Sequence, residues 1–259
     1  MSESTLRIGL LYPEVLGTYG DGGNALILAQ RARWRGIDAE VVTVHLDEVV
    51  PLELDVYHLG GGEDAAQEHA ITQLQQNPEF VSAVADGKPM LAICAGLQIL
   101  GHWYVNAAQE KVPGIGLLDC YTLPQGLRTI GELASEPLLP GLTQRLTGFE
   151  NHGGATGLGP DAKPFARVLS GHGNGVARED LEDATAAATA LEHETLYDGV
   201  WQGGVVATYM HGPALARNPE LADWLLARAL GVELADLASL GAEPDIDALR
   251  AARFAAAGV

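Results

Sequence analysis

Five apolar residues in succession, Pro89-Met-Leu-Ala-Ile93, run between Lys88 and Cys94 and pass directly into Cys94-Ala-Gly96. A run this short, without alternation, suits a strand covered on both faces, as in the middle of a parallel sheet. The flanking sequence agrees. Leu6 to Tyr12 reads as a first strand, Ala39 to Leu46 as a second and Asp55 to Leu59 as a third, with 89–93 the fourth. Between them lie helical patterns. One starts at Asn24, a plausible N-cap, with Leu26, Ala29 and Trp34 toward a core; the other covers Ala65 to Val84 with an interruption near Pro78. Short strands alternating with crossover helices predict an α/β fold on a mostly parallel sheet.

The second half is less regular. Val112 to Leu123, Leu146 to His152, Phe165 to Leu169 and Gly204 to Met210 are strand candidates, predicting a mixed or antiparallel extension of the sheet. The stretch from Glu179 to Glu194 has little to bury and reads as a solvated helix or loop insertion. Leu221, Trp224, Leu225 and Ala229 recur at helical spacing, and residues 243–259 read as a terminal helix carrying Leu249 and Phe254. No internal repeat or linker divides the chain. The expected organisation is a body over 1–215 with C-terminal helices, 216–259, packed on the same domain.

Charge narrows the function classes. Fifteen Lys and Arg against 34 Asp and Glu leave a formal charge of −19. A field of that sign repels phosphodiesters and anionic headgroups, so no nucleic-acid partner and no direct membrane insertion are expected. No apolar run approaches the ~18 residues a membrane span needs. The N-terminal apolar stretch, stopped by Pro13 and Glu14, is no signal peptide. Two cysteines, Cys94 and Cys120, cannot build a disulfide framework, which predicts a reducing, cytoplasmic setting. The glycine-rich turn 17–23 lacks the Lys-Ser/Thr of a phosphate loop, and no Cys/His cluster has metal-ligand spacing. Neither a nucleotide cofactor nor a metal is expected in this chain.

Cys94 carries the chemistry. A small nucleophile on the sharp turn between a buried strand and a helix, with Gly96 two residues on, is a nucleophile-elbow arrangement. The turn exposes the sulfur, while the helix start lowers the thiol pKa and offers a backbone N–H to an oxyanion. Cys120 has no such context and reads as a buried structural thiol.

The run Cys94-Ala-Gly-Leu-Gln98, the loop Gly60-Gly-Gly62 and the strand end Thr208-Tyr-Met-His211-Gly-Pro together resemble the triad-type, class I glutamine amidotransferases. Within these, Gly20-Asp-Gly-Gly-Asn24, Gly60-Gly-Gly-Glu-Asp64, Gly148-Phe-Glu-Asn-His-Gly153 and Gly171-His-Gly-Asn174 resemble the cobyric-acid-synthase-like branch. The resemblance is closest to its GatD group, the glutaminase subunits of lipid II isoglutaminyl synthases. It covers roughly residues 6–215. It implies a flavodoxin-like, three-layer α/β/α sandwich that hydrolyses L-glutamine and passes ammonia to a MurT-like Mur-ligase subunit. That partner would bind ATP and Mg and amidate the stem D-glutamate of lipid II at the inner membrane face. The alternatives are a glutaminase for corrinoid amidation, disfavoured because no fused synthetase follows, and a non-catalytic scaffold subunit of the same fold.

Glutamine hydrolysis needs a thiolate, a base, oxyanion donors and an anchor for the amino-acid end. Cys94 is the nucleophile. His211, at the end of a strand, is the best base among eight histidines, because strand ends on one edge of a parallel sheet converge. His58 and His152 are further candidates to line the site. The N–H of Gly61 or Gly62, with that of Ala95, is the expected oxyanion hole, and Gln98 a ligand for the substrate's polar end. Arg128 is the sole basic residue between Lys111 and Arg145 and the candidate for the α-carboxylate; the alternative is an ordinary surface arginine. His211 is followed by Gly212 and Pro213, so the acid often found two residues after the histidine is missing. Either a dyad suffices or the carboxylate comes from Glu150, from Glu194, or, as favoured here, from the partner.

Overall fold

The structure, a computed structural model, describes residues 5–178 and 184–259. Among these residues, eleven strands join in one sheet. Its parallel core is formed by β1 (Leu6–Leu11), β2 (Ala39–Val44), β3 (Val56–Leu59), β4 (Met90–Ile93) and β11 (Val205–Thr208), in the order β2-β1-β3-β4-β11. As the unbroken apolar run predicts, β4 lies between two parallel neighbours and every residue of it is buried.

The strand order reverses direction after β1, so right-handed crossovers send the connecting helices to opposite faces. α1 (Gly23–Trp34) packs with α6 (Ala214–Arg217) and α7 (Pro219–Leu230). α2 (Asp64–Gln75) packs with α3 (Pro78–Ala85) and α4 (Ala95–Leu100). The break between α2 and α3 falls where Pro78 sits at a helix N-terminus, a place where its missing N–H costs nothing.

Three details of α1 depart from the sequence reading. Leu26 and Trp34 are exposed, and the buried stripe is Ala25, Leu28, Ala29 and Ala32, an i, i+3, i+4, i+7 pattern of mostly small residues. Small side chains let α1 approach β1, β2 and α7 closely, and the two large ones are left outside. Asn24 is not the cap: the helix starts at Gly23, and Asn24 Oδ1 accepts from the Leu215 N–H at 2.9 Å. That bond ties the start of α1 to the segment just after His211.

Beyond β11 the sheet turns antiparallel, through β10 (Tyr197–Gln202) and β9 (Lys163–Ser170) to the long β7 (Cys120–Pro137) and its partner β8 (Leu146–Leu158). Short β5 (Trp103–Val105) and β6 (Lys111–Pro113) complete it. The expected strand at 112–123 is therefore two strands, and β7 continues well past its expected end. Part of the 179–194 stretch lies outside the described residues; the remainder forms α5 (Ala184–His193). α8 (Pro244–Ala257) packs on β7, β8 and α6. Among the described residues, no helix is long and apolar enough to cross a membrane.

Candidate active site

The site forms where the parallel strands end. β4 delivers Cys94, whose backbone takes φ 51° and ψ −104°, a conformation L side chains rarely adopt. Strain of this kind costs on the order of 1–3 kcal/mol and persists only where surroundings enforce it. They do here: the Cys94 N–H donates to Thr208 O at 2.9 Å, and a Cβ at Gly96 would come within 2.8 Å of Leu59 O. The elbow helix thus lies against the end of β3 at a distance only glycine allows. Cys94 is 9% exposed. Cys120, by contrast, is buried away from the site, and burial pushes its thiol up to about 12, as suits an inert core residue.

β11 pairs with β4 so that Thr208 lies opposite Ile93, and the chain then carries His211 past Cys94. Backbone bonds between His211 and Phe149 of β8, 2.8 and 3.1 Å in the two directions, fix the residue in place. His211 is 1% exposed, and its Nδ1 donates to the carboxylate of Asp21, with Oδ1 at 3.1 Å and Oδ2 at 3.0 Å. Nδ1 thereby carries a proton, and Nε2 is buried without a hydrogen-bond partner among the described residues. Burial pulls the His211 pKa down, but hydrogen bonding to Asp21 and the charges of Asp21 and neighbouring Cys94 overcome it and push the ring up to about 10.

Asp21 was not among the expected acids. Glu150 accepts the N–H groups of His172 and Gly173 at 2.9 and 2.8 Å and faces the rings of His152 and His172, while exposed Glu194 pairs with Arg178. Within this chain the carboxylate against His211 is that of Asp21, from the loop after β1. Fully buried Asp21 is held by the Gly61 N–H at 3.0 Å, and its backbone carbonyl accepts from His58 Nε2 at 2.8 Å. Burial lowers the pKa of His58 and so favours the neutral ring, whose one N–H serves the nearer Asp21 carbonyl rather than Leu91 O, 3.3 Å from Nδ1. His58 lies beneath the site as a brace for the Asp21 loop rather than in its wall.

This geometry corrects the oxyanion expectation for Gly61, whose N–H is committed to Asp21. The residue must still be glycine: a Cβ would meet His211 Cε1 at 2.9 Å and Asp21 Oδ2 at 3.2 Å. Gly62 does line the cavity, and Ala95 is the first residue of α4, where a helix leaves its N–H without an internal acceptor.

A cavity of about 200 Å³ opens over Cys94 and His211, with Gln98, Arg128, Asn151 and His152 among its walls. Gln98 is buried, not an exposed helix residue. Its Oε1 accepts from Gln67 Nε2 at 3.0 Å and its Nε2 donates to Tyr209 Oη at 3.2 Å, which leaves one N–H for a ligand. The His152 ring stacks on Tyr209, centroids 3.8 Å apart. Arg128 reaches the cavity mouth from a shift in the β7/β8 register between Pro124 and Thr129, the kind of irregularity that re-aims a side chain near a site. Its Nε donates to Asn151 Oδ1 at 2.7 Å, leaving the ends of the guanidinium fork open to a carboxylate.

A thiol on a strained elbow, a histidine at the end of the next parallel strand and a carboxylate behind its ring have the arrangement that the chemistry of a cysteine amidohydrolase needs. Consistent with that class, residues 7–219 match the CobB/CobQ-like glutamine amidotransferase domain, and the chain belongs to this family of glutamine-hydrolysing enzymes. It is 33% identical over 245 residues, 93% of this chain and 86% of the relative, to the lipid II isoglutaminyl synthase (glutamine-hydrolyzing) subunit GatD of Streptococcus pneumoniae. Against the Staphylococcus aureus subunit of the same name the identity is 33% over 216 residues, covering 83% and 80%. A cobyric acid synthase of Hyphomonas neptunium is 28% identical over 192 residues, which span 70% of this chain but 38% of that protein. In fold, the chain resembles a crystal structure of a glutamine amidotransferase at TM-score 0.51 and 20% identity, covering 87% of this chain and 99% of that one.

Proposed function

We propose that the chain is the glutaminase subunit of a lipid II isoglutaminyl synthase. In this reading the Cys94 thiolate attacks the γ-carboxamide carbon of L-glutamine, and the N–H groups of Gly62 and Ala95 receive the tetrahedral oxyanion. His211, whose Nε2 takes up the Cys94 proton as the thiolate forms, gives that proton to the departing nitrogen, releasing ammonia and leaving a γ-glutamyl thioester. It then takes a proton from water, whose oxygen attacks the thioester carbon, and glutamate departs with Cys94 restored. Asp21 fixes the ring and favours the imidazolium, while Arg128 takes the substrate α-carboxylate.

The observation that carries the reading is the Cys94, His211 and Asp21 set in a chain aligned along most of its length with two GatD subunits. The corrinoid alternative has weaker support, since the cobyric acid synthase match spans only part of the longer protein. Ammonia would pass to a MurT-like, Mur-ligase-type partner holding ATP and Mg, which amidates the stem D-glutamate of lipid II on the cytoplasmic side of the membrane. Reconstitution tests this. With partner, ATP, Mg and lipid II, the wild-type chain is expected to support amidation from glutamine or ammonium, and Cys94→Ala from ammonium alone, as read by mass spectrometry. Glutamine-dependent amidation by Cys94→Ala would refute the reading.

A further inference from the structure

Tyr19 stands at the cavity mouth with φ 59° and ψ 18°, in the left-handed region that side chains other than glycine rarely occupy. The strain is not offset by burial, since the residue is 44% exposed. Its ring lies edge-on to the His211 ring, with centroids 4.9 Å apart, and edge-on to Phe149 at 6.3 Å. The hydroxyl accepts a hydrogen bond from Asn151 Nδ2, and Asn151 Oδ1 accepts from Arg128 Nε. An unbroken line of contacts therefore crosses the mouth from Arg128 through Asn151 and Tyr19 to His211.

Each link has a chemical consequence. Asn151 uses its oxygen on Arg128 and its nitrogen on Tyr19, so it can serve both only in one amide orientation. Having accepted from Asn151, the Tyr19 hydroxyl keeps its own proton to donate. Holding Arg128 by Nε pre-orients the two terminal nitrogens, the arrangement suited to bidentate capture of a carboxylate. A strained residue held at a site by such contacts is the usual sign of pre-organisation.

We propose that Tyr19, acting through Asn151, is a positioning residue that orients the Arg128 fork and packs on His211, so that capture of an α-carboxylate and alignment of the base are coupled. The inference rests on the reading of Arg128 as the α-carboxylate anchor. It makes the Tyr19, Asn151 and Arg128 line the determinant of preference for free amino acids over simple amides.

The test uses the full chain with its partner and two cysteine reagents: diazo-oxonorleucine, which carries the amino-acid end of glutamine, and iodoacetamide, which does not. Tyr19→Phe keeps the ring against His211 but loses the hydroxyl. It is expected to raise KM for glutamine about tenfold, the scale of one hydrogen bond serving a charged group, with kcat changed far less. Diazo-oxonorleucine labelling of Cys94 should slow by a similar factor while iodoacetamide alkylation keeps its rate, and the Tyr19→Phe effect should vanish in an Arg128→Ala background. An unchanged KM, or equal slowing of both reagents, overturns the proposal. If Arg128→Ala alone leaves KM unchanged, the anchor reading fails instead, and the two failures are told apart.

Discussion

At the scale of single residues, function depends on how few positions can be altered around His211. Asp21, Gly61 and Cys94 all crowd its ring, and the Asp21 carboxylate both fixes the protonated nitrogen and raises the ring's pKa. Asp21→Asn keeps the shape and removes the charge. Replacing the corresponding aspartate of a serine protease triad lowers kcat about 10⁴-fold, and a loss of roughly 10²-fold or more is expected here. Because Asp21 raises the His211 pKa, its removal lowers it. The alkaline limb of kcat/KM, which follows loss of the imidazolium proton, should therefore move to lower pH, and a limb that stayed in place would show that Asp21 does not govern the ring. The nucleophile was legible because strand, cysteine and glycine are consecutive, and His211 because it ends an apolar strand. Asp21 was not, since 190 residues separate it from His211 and no spacing rule links two loops that meet only across the sheet edge. A signal was present in the phrase Gly20-Asp-Gly-Gly-Asn24, an acid at the C-terminal end of the first parallel strand, where such sheets gather their ligands.

At the scale of elements, the parallel half of the sheet follows from local pattern, because strands covered on both faces leave an unbroken apolar mark. The antiparallel half does not. β7 runs for 18 residues through Pro124, Gly126 and Gly131, each of which argues locally against a strand, and pairing with β5, β8 and β9 holds it extended. The same irregularity brings Arg128 to the cavity. α8 shows how a terminal helix is fastened without a strongly apolar face. Buried Arg250 donates to the carbonyls of Arg217 and Arg145, both at 2.6 Å, and to Asn218 Oδ1 at 3.1 Å. Arg250→Ala would leave these acceptors short of partners and is expected to destabilise the fold by about 2–4 kcal/mol. Thermal or denaturant unfolding measures this, and because none of these groups lines the cavity, kcat should stay close to wild type.

At the scale of the whole molecule, the charge of −19 suits a division of labour in which nucleotide and anionic lipid are handled by another subunit. If the MurT-like partner presents a basic face, association should be electrostatically steered, with an on-rate that falls steeply between low and physiological salt while dissociation changes less. Stopped-flow measurement across ionic strength checks this, and a salt-independent on-rate would remove charge from the account of assembly. The central claim concerns Cys94 itself. Incubation of the complex with diazo-oxonorleucine, followed by peptide mapping, should place one adduct on the peptide bearing Cys94, blocked by excess L-glutamine and absent in Cys94→Ala. An adduct on Cys120, or none on Cys94 under conditions where the complex turns over glutamine, would contradict it.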